Sequence, residues 1–414
     1  MTTVVDKGAW SFYVDTGGTF TDCLGCSPDG KWFRAKVLSR GSLSAEAVEQ
    51  TADRTLKISK TDNWPEDFPV GFTLKVAGEE NFSTRINRWD ASSQELILQD
   101  SLPAGVDLPI AIELESGWEA PVLGMRLILA RQGLDWKSID AEMRLATTRC
   151  TNALLEGKGT EPVLLINSGF GDLLEIGDQR RLGLFDLIPQ KRKILTQDII
   201  EIDERMDRDG QVLTPPNYKE IQEIASDLVS SGKTIAVVSF LHSCRNPEHE
   251  LQVAQILSEA GFRKVVVSSS IYNFPKWLPR LESGVVEAYL SDVLDDYLDQ
   301  VQGAFDQTDS LWVMSSAGGL QKRSKYRAID SLLSGPAAGV VGAGSIAKSA
   351  GLEDFINLDM GGTSTDVSRY SGNYGYQSPH QVGDARIAST ALKIETVAAG
   401  GGSICRVENG LLRV

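Results

Sequence analysis

The chain has 414 residues, of which 42% are hydrophobic and 23% charged, an ordinary balance for a soluble globular protein long enough for at least two domains. Its 41 basic against 56 acidic side chains leave a net charge of −15, which argues against nucleic acid or an anionic membrane as the main partner. No apolar run reaches membrane-spanning length and no charged-then-apolar leader opens the chain, so the cytoplasm is the expected compartment. The five dispersed cysteines (Cys23, Cys26, Cys150, Cys244, Cys405) do not form a disulfide framework, and three histidines are too few for a His-rich metal centre.

In chain order, Phe12, Tyr13 and Val14 read as a buried strand ending at Asp15-Thr-Gly-Gly-Thr-Phe-Thr-Asp22. Cys23 and Cys26 follow with C-x-x-C spacing, open to a zinc or redox role or to a plain hairpin position. A turn at 27–30 and a strand over 31–38 complete a hairpin, and the spacing of apolar residues predicts a helix over 44–58 with Ser44 as N-cap. Short β segments at 71–77, 95–99 and 109–115 predict a small inserted β subdomain at about 62–118. Its Trp64, Trp89 and Trp118 could form a minor core or touch a ligand or another subunit. A helical pattern resumes at Gly124, and a strand then ends at Thr147 and Thr148. Thr151 and Asn152 next open a helix, as caps or as ligand contacts. A buried strand over 161–167 leads through Gly169 to Asp172 into a helix and the basic cluster Gln179, Arg180, Arg181, which is either solvated surface or an anion contact.

The polar stretch 207–217 is the candidate boundary between a first lobe, 8–213, and a second, 217–414. Beyond it, helices over 217–230 and 247–260 alternate with strands over 233–241 and 264–268, which implies a mostly parallel sheet. A long helix over 283–302 and a strand over 311–314 follow, the latter ending at the glycine pair Gly318 and Gly319. A turn at 334 then runs into a helix rich in small residues, whose N-terminus could offer free N–H groups.

After a second apolar run, Asp359-Met-Gly-Gly-Thr-Ser-Thr-Asp366 repeats six of the eight residues of the first motif, 344 positions later. Paired glycines let backbone N–H groups approach an anion without a Cβ in the way, and threonine hydroxyls add donors. These residue types suit phosphate: Gly17, Gly18, Thr19 and Thr21 in the first copy, Gly361, Gly362, Thr363 and Thr365 in the second. Carboxylates repel phosphate, so Asp15 and Asp359 make sense if a divalent cation, Mg²⁺ with its waters, lies between. No lysine follows the glycines and no helix pattern follows them, which sets the motif apart from a P-loop. The Gly400, Gly401, Gly402 run permits close backbone approach, to a base or ribose for example.

With these motifs in this order, the chain resembles the N-terminal, A-subunit region of the hydantoinase/oxoprolinase family, which includes 5-oxoprolinase, N-methylhydantoinase A and the acetone carboxylase β subunit. The matching stretches are 15–22, 147–158, 169–181, 201–213, 315–319, 333–344, 359–368 and 398–404. The resemblance implies an α/β fold of the actin/Hsp70/sugar-kinase type (ribonuclease H-like), two-lobed and C-terminally incomplete here, with ATP and Mg²⁺ clamped between the two D-x-G-G-T loops. It implies ATP-dependent hydrolysis of a cyclic amide such as 5-oxoproline or hydantoin, with Asp15 and Asp359 as catalytic residues and metal ligands, and the listed Gly and Thr residues on phosphate. Asp22 or Asp366 would orient a nucleophile or simply stabilise a hairpin. The expected partners are the small cyclic amide, a C-terminal continuation or B-type subunit, and a second copy of the chain. A small-molecule kinase and a non-catalytic actin-like nucleotide switch are the alternatives.

Overall fold

A computed structural model describes residues 8–61, 63–79, 81–179, 185, 187, 193–305, 310–362 and 364–414. The chain forms two compact units. The first holds residues 1–148, 296–314 and 320–325; the second holds 149–295, 315–319 and 326–414. The division therefore falls after Thr148, and the 207–217 stretch lies inside the second unit.

In the first unit, β1 (Trp10–Thr16), β2 (Phe20–Cys26) and β3 (Trp32–Leu38) form an antiparallel meander. A long β4 (Ser42–Ala52) and β5 (Thr55–Ser59) follow where a helix over 44–58 is expected. Leu43, Ala45 and Ala47 are buried while Ser44 and Val48 are exposed, a period of two that their helix-favouring residue types obscure. Packing decides, because β4 is claimed on both edges: its first half pairs with β9 (Ile110–Glu115) and its second with β5.

That double pairing closes a barrel. The order β4-β5-β8-β7-β6-β9 returns to β4 through β6 (Thr73–Val76), β7 (Ser83–Asp90) and β8 (Glu95–Leu98), all antiparallel. The inserted β region thus begins at Ser42, earlier than the 62–118 expected, and has no open edge to template aggregation. Leu56, Ile58, Leu74, Ile86, Trp89, Leu96, Leu98 and Leu114 fill it. Trp89 meets Trp64 edge-on at 5.5 Å and donates its Nε1–H to the Trp64 carbonyl, so these tryptophans are core. Trp118 packs edge-on against Phe72 on one side and stacks on the Arg126 guanidinium on the other.

The chain leaves the barrel into α1 (Ala120–Arg131), which lies across β1, β2 and β3. Gly124 permits this contact, since a Cβ there would stand 2.8 Å from Cys23 Cβ. Cys23 and Cys26 are buried on β2, the thiol of Cys23 pushed far up by burial, which fits the hairpin position and not a reactive pair. Then β10 (Ala141–Thr147) adds to β1 in parallel, followed by the strand Leu311–Met314 in parallel and Leu320–Lys322 antiparallel. The order from β3 through β2, β1 and β10 to Leu311–Met314 makes a mixed sheet.

The second unit opens with α2 (Arg149–Glu156) and holds the expected parallel sheet: β11 (Val163–Asn167) between β12 (Ile199–Ile202) and β13 (Ile235–Ser239), then β14 (Lys264–Val267). Every residue of β11 and β13 is buried because both faces are covered. Val163, Leu165, Ala236 and Val238 face α4 (Tyr218–Ser230) and α5 (Glu248–Ala260). Leu164, Ile166, Ile235 and Val237 face the short α3 (Leu173–Ile176) and α6 (Trp277–Gln302). Asn217 caps α4 as its side-chain oxygen accepts from Glu220 N–H. Finally α7 (Ser334–Ser349) packs on the hairpin β15 (Asp354–Met360) and β16 (Thr365–Ser371), and β17 (Glu395–Val397) joins β16.

Two stability predictions follow from these contacts. Gly41 has φ +78° and a Cβ there would sit 1.9 Å from the Trp118 carbonyl oxygen, whereas Gly30, at φ +84°, has open space around it. In urea unfolding, Gly30→Ala should cost about 1 kcal/mol from backbone conformation alone, and Gly41→Ala should cost well above that, about 3 kcal/mol, because backbone must move. Separately, burial raises the pKa of Glu287, outweighing the Ile329 N–H it accepts and the charges of Lys264 and Arg327. A raised folded pKa contributes stability below the unfolded value that is lost as pH rises through the folded one. Glu287→Gln, which keeps an acceptor for Ile329, should therefore melt higher than wild type at pH 7, with the gap closing towards pH 4. A variant less stable than wild type at pH 7 would show an ionised, paired Glu287 instead.

Candidate functional site

The two motif copies fold into the same object. Each is a hairpin tip: Gly17 N–H donates to Phe20 O at 3.1 Å, and Gly361 N–H donates to Ser364 O at 2.9 Å. In β1 and β2, Asp15 stands directly across from Asp22; in β15 and β16, Asp359 stands across from Asp366. Directly opposite residues share a face, so each tip carries two carboxylates side by side next to a glycine pair. Thr363 lies outside the described residues.

Like charges so close need compensation, and β3 supplies it for the first copy. Arg34 and Lys36, two positions apart on one face, reach the Asp22 carboxylate at 2.7 and 3.2 Å. Partial burial pushes the Asp22 pKa up, but these hydrogen bonds outweigh it and hold the carboxyl below its usual range. In the second copy, Thr396 of β17 donates its hydroxyl to Asp366 at 2.7 Å. Both second aspartates thus have hairpin-stabilising partners. The period-two pair Arg34 and Lys36 was the available sequence signal for the first of them.

Not every predicted donor faces outward. Thr21 is fully buried, its hydroxyl 3.1 Å from the Ser39 hydroxyl, and Ser39 also donates to the Gly17 carbonyl. Thr365 is buried too and donates to the Ala399 carbonyl at 2.5 Å. Both threonines therefore brace the turns. The glycine run does the same: Gly401 N–H donates to Gly361 O, Gly402 N–H to Gly362 O, and Gly400 N–H to the Ser403 hydroxyl. A Cβ on Gly402 would stand 3.1 Å from Gly362 O, so this run backs the second tip. Gly18 and Gly362, at the apices, are exposed with nothing within 4 Å of a would-be Cβ, as a ligand-facing turn requires.

The flanking motifs resolve similarly. Thr148 uses both its N–H and its hydroxyl on the Thr16 carbonyl, beside the first tip, and the Thr16 hydroxyl lies 3.3 Å from the Tyr297 hydroxyl. The helix expected to open at Asn152 starts at Arg149, so Thr151 is inside it and donates to the Leu332 carbonyl. Ser315 to Gly319 is a turn, with Gly318 at φ +79° and Ser316 bonded to the Asp330 carbonyl. The entry to α7 is tied to that turn, Leu333 N–H donating to the Ser316 hydroxyl, and it is Gly339 further along that approaches Asp359, 3.7 Å from its Oδ2 to a would-be Cβ. Arg180 and Arg181 lie outside the described residues.

A cluster that sequence reasoning missed sits at the carboxyl ends of the parallel strands. Buried Glu250 accepts from Phe240 N–H, Ser269 N–H and the Ser243 and Ser268 hydroxyls, and buried Glu204 lies 2.7 Å from His249 Nδ1. These carboxylates are fully used in joining strand ends to α5. Among the described residues, no group of three or more His, Cys, Asp or Glu side chains could hold a metal, and no helix is long and apolar enough to cross a membrane.

Comparisons with known proteins bear on the family. The model of the hydantoinase/oxoprolinase N-terminal region matches residues 105–261, and that of hydantoinase/oxoprolinase itself matches 280–414. The chain is 37% identical over 295 residues to 5-oxoprolinase 1 of Arabidopsis thaliana, covering 66% of this chain and 23% of the relative. It is 30% identical over 443 residues to the 5-oxoprolinase of Saccharomyces cerevisiae, covering 99% of this chain and 30% of the relative. The crystal structure of the ATP-dependent caprolactamase from Pseudomonas jessenii superposes with a TM-score of 0.65 at 21% identity, over 96% of this chain and 49% of that one. The chain thus spans a third or less of these two curated relatives and about half of the solved neighbour, whose likeness speaks for a shared mixed α/β fold. Two models of one family in the expected order, with relatives along the whole length, place this chain in the hydantoinase/oxoprolinase family.

Proposed function

We propose that this chain is the nucleotide-using part of an ATP-dependent cyclic amidase, acting on a small lactam or imide such as 5-oxoproline or hydantoin. The observation that carries the reading is the recurrence of one tip geometry, with two carboxylates across from each other beside an exposed glycine, in two places of a chain whose relatives include enzymes named 5-oxoprolinase. The strand order of the first unit, three antiparallel strands continued by two parallel ones, supports an actin/Hsp70/sugar-kinase type of fold. The relatives and neighbours named above do not favour the kinase or the nucleotide-switch reading.

The residues fit a magnesium nucleotide. Mg²⁺ keeps several waters and takes one or two carboxylates plus phosphates, not an all-protein cage, so the aspartate pair at each tip suits it. Asp15 and Asp359 would hold the cation through water, while Gly18, Gly362 and Thr19 would offer backbone N–H groups to phosphate oxygens. Bound Mg²⁺-ATP would supply a phosphoryl group to the carbonyl oxygen of an unstrained amide, with ADP leaving, and so activate a carbonyl that resonance otherwise makes a poor electrophile. The chain's own part is positioning and charge compensation, the main terms in phosphoryl transfer. Thr21, Thr365, Gly400 and Gly401 act one step back by fixing the turns. The activity of a whole enzyme would draw on a C-terminal continuation or B-type subunit, and assembly of several copies is compatible with this reading.

Isothermal titration of Mg²⁺-ATP into the chain tests this. Asp15→Ala and Asp359→Ala should each weaken metal-dependent binding by about tenfold or more, the worth of a lost charge-assisted contact. Gly18→Val and Gly362→Val should do likewise without lowering the melting temperature, because the space around them is open. Binding that is equally tight in all four variants, or independent of Mg²⁺, would sink the reading.

A further inference from the structure

Two cavities of the second unit share part of one wall. The larger, about 320 Å³, is lined by polar side chains, among them Asp178, Gln377, His380, Gln381, Asp384 and Arg386. The other, about 200 Å³, has an aliphatic lining that includes Leu154, Leu174, Val285 and Val382. Asp384 and Arg386 line both, and no residue of either tip lines one. A single hairpin carries the shared wall: His380–Val382 pairs antiparallel with Ala385–Ile387 across a turn at Gly383, which has φ +56°. It is tied down beyond its own pairing, as Ala388 N–H donates to the Ser283 hydroxyl at 2.7 Å and Arg386 donates to Asp178 at 3.4 Å. Small-molecule sites have this make-up, an apolar hollow beside a few placed polar groups.

His380 brings an unmet hydrogen-bonding atom to this wall. The residue is 4% exposed, and its Nδ1 lies 3.2 Å from the Ser389 carbonyl oxygen, which can only accept. Burial lowers the pKa of the ring, outweighing the Ser389 carbonyl and the Asp330 charge, so the ring is neutral and Nδ1 carries its one proton. Nε2 is then a buried lone pair with no donor on it. Leaving a buried acceptor unmet is costly, so the site is suited to a donor from outside the chain. One water needs about 15 Å³, so a water alone would fill little of this space.

Charge and shape select the ligand. The polar wall sets two carboxylates and the Nε2 lone pair against one guanidinium, so it is acceptor-rich and its formal charge is negative. Among the described residues Asp384 makes no ion pair, and Arg386 has only the long contact to Asp178. Such a wall favours a cationic donor, leaves a place for one anionic group at Arg386, and repels a simple anion. The adjoining aliphatic lining takes hydrocarbon. An α-amino acid carries all three groups, ammonium, carboxylate and side chain, on one carbon. We propose that these two cavities form a binding site for an α-amino acid with an aliphatic side chain. The ammonium donates to Asp384 and to His380 Nε2, the carboxylate accepts from Arg386, and the side chain lies against Leu154, Leu174 and Val382. This holds whether or not the hairpin tips bind nucleotide.

The test titrates leucine into the whole 414-residue chain by isothermal calorimetry, and saturable one-to-one binding is expected. Three probes each lack one group: 4-methylpentanoate the ammonium, 3-methylbutylamine the carboxylate, and glutamate the aliphatic side chain. Each should bind at least tenfold more weakly than leucine. Asp384→Asn, at an exposed turn position, and Ala385→Phe, which fills the aliphatic cavity, should each weaken leucine binding by at least tenfold. His380→Phe, which keeps a ring and removes the acceptor, should do likewise, and Asp384→Asn decides the matter if that variant does not fold. No saturable binding by folded wild type up to about 10 mM leucine, binding indifferent to Asp384→Asn, or 4-methylpentanoate as tight as leucine overturns the proposal. Tighter binding of 5-oxoproline than of leucine also overturns it, by making the cavities a lactam site.

Discussion

Antiparallel register is the constraint on which the site depends. Closing a tip through Gly17 N–H and Phe20 O forces Asp15 opposite Asp22, and the same closure at Gly361 and Ser364 forces Asp359 opposite Asp366. Adjacent carboxylates repel, so a hairpin of this kind cannot stand on its own pairing. The surrounding elements answer that cost in two ways. The first copy brings cations on β3, whereas the second brings the Thr396 hydroxyl.

Much of this was legible because the hydrophobic signal and the turn signal coincided. The parallel strands around Leu164 and Val237 read clearly, since both faces are buried and the residues are branched and apolar. The segment after Ser42 read wrongly for the opposite reason. Alanine and glutamate favour helix locally, and only pairing with residues some seventy positions away, Ile110 to Glu115, makes it a strand. Closure of the barrel is likewise a long-range fact, visible once β4 is seen to serve two neighbours.

The threonines mark a second limit. In both motif copies the hydroxyl next to the glycine pair has the chemistry to meet phosphate, and nothing local distinguishes Thr21 from Thr19. What distinguishes them is which side of the strand each occupies and what lies beneath. Ser39 and Ala399, distant in sequence, take the hydroxyls of Thr21 and Thr365 and turn them into braces. The run at Gly400 to Gly402 shows the same ambiguity, since glycine allows close approach to any backbone, including that of the neighbouring loop.

Charge connects these details with the chain as a whole. A net charge of −15 and two acidic tips make the protein intrinsically hostile to a polyanion, so compensation has to be local. The basic partners of Asp22 satisfy the hairpin, and on the reading proposed above the exposed glycine apices would meet an anion with backbone donors. Backbone N–H groups are partial charges fixed in direction, useful only when the turn is rigid. Rigidity is what Ser39, Thr365 and the Gly401 and Gly402 contacts provide. On the reading proposed above, the buried braces and the exposed apices are two halves of one arrangement, in which donors too weak to act if mobile would become effective by being held in place.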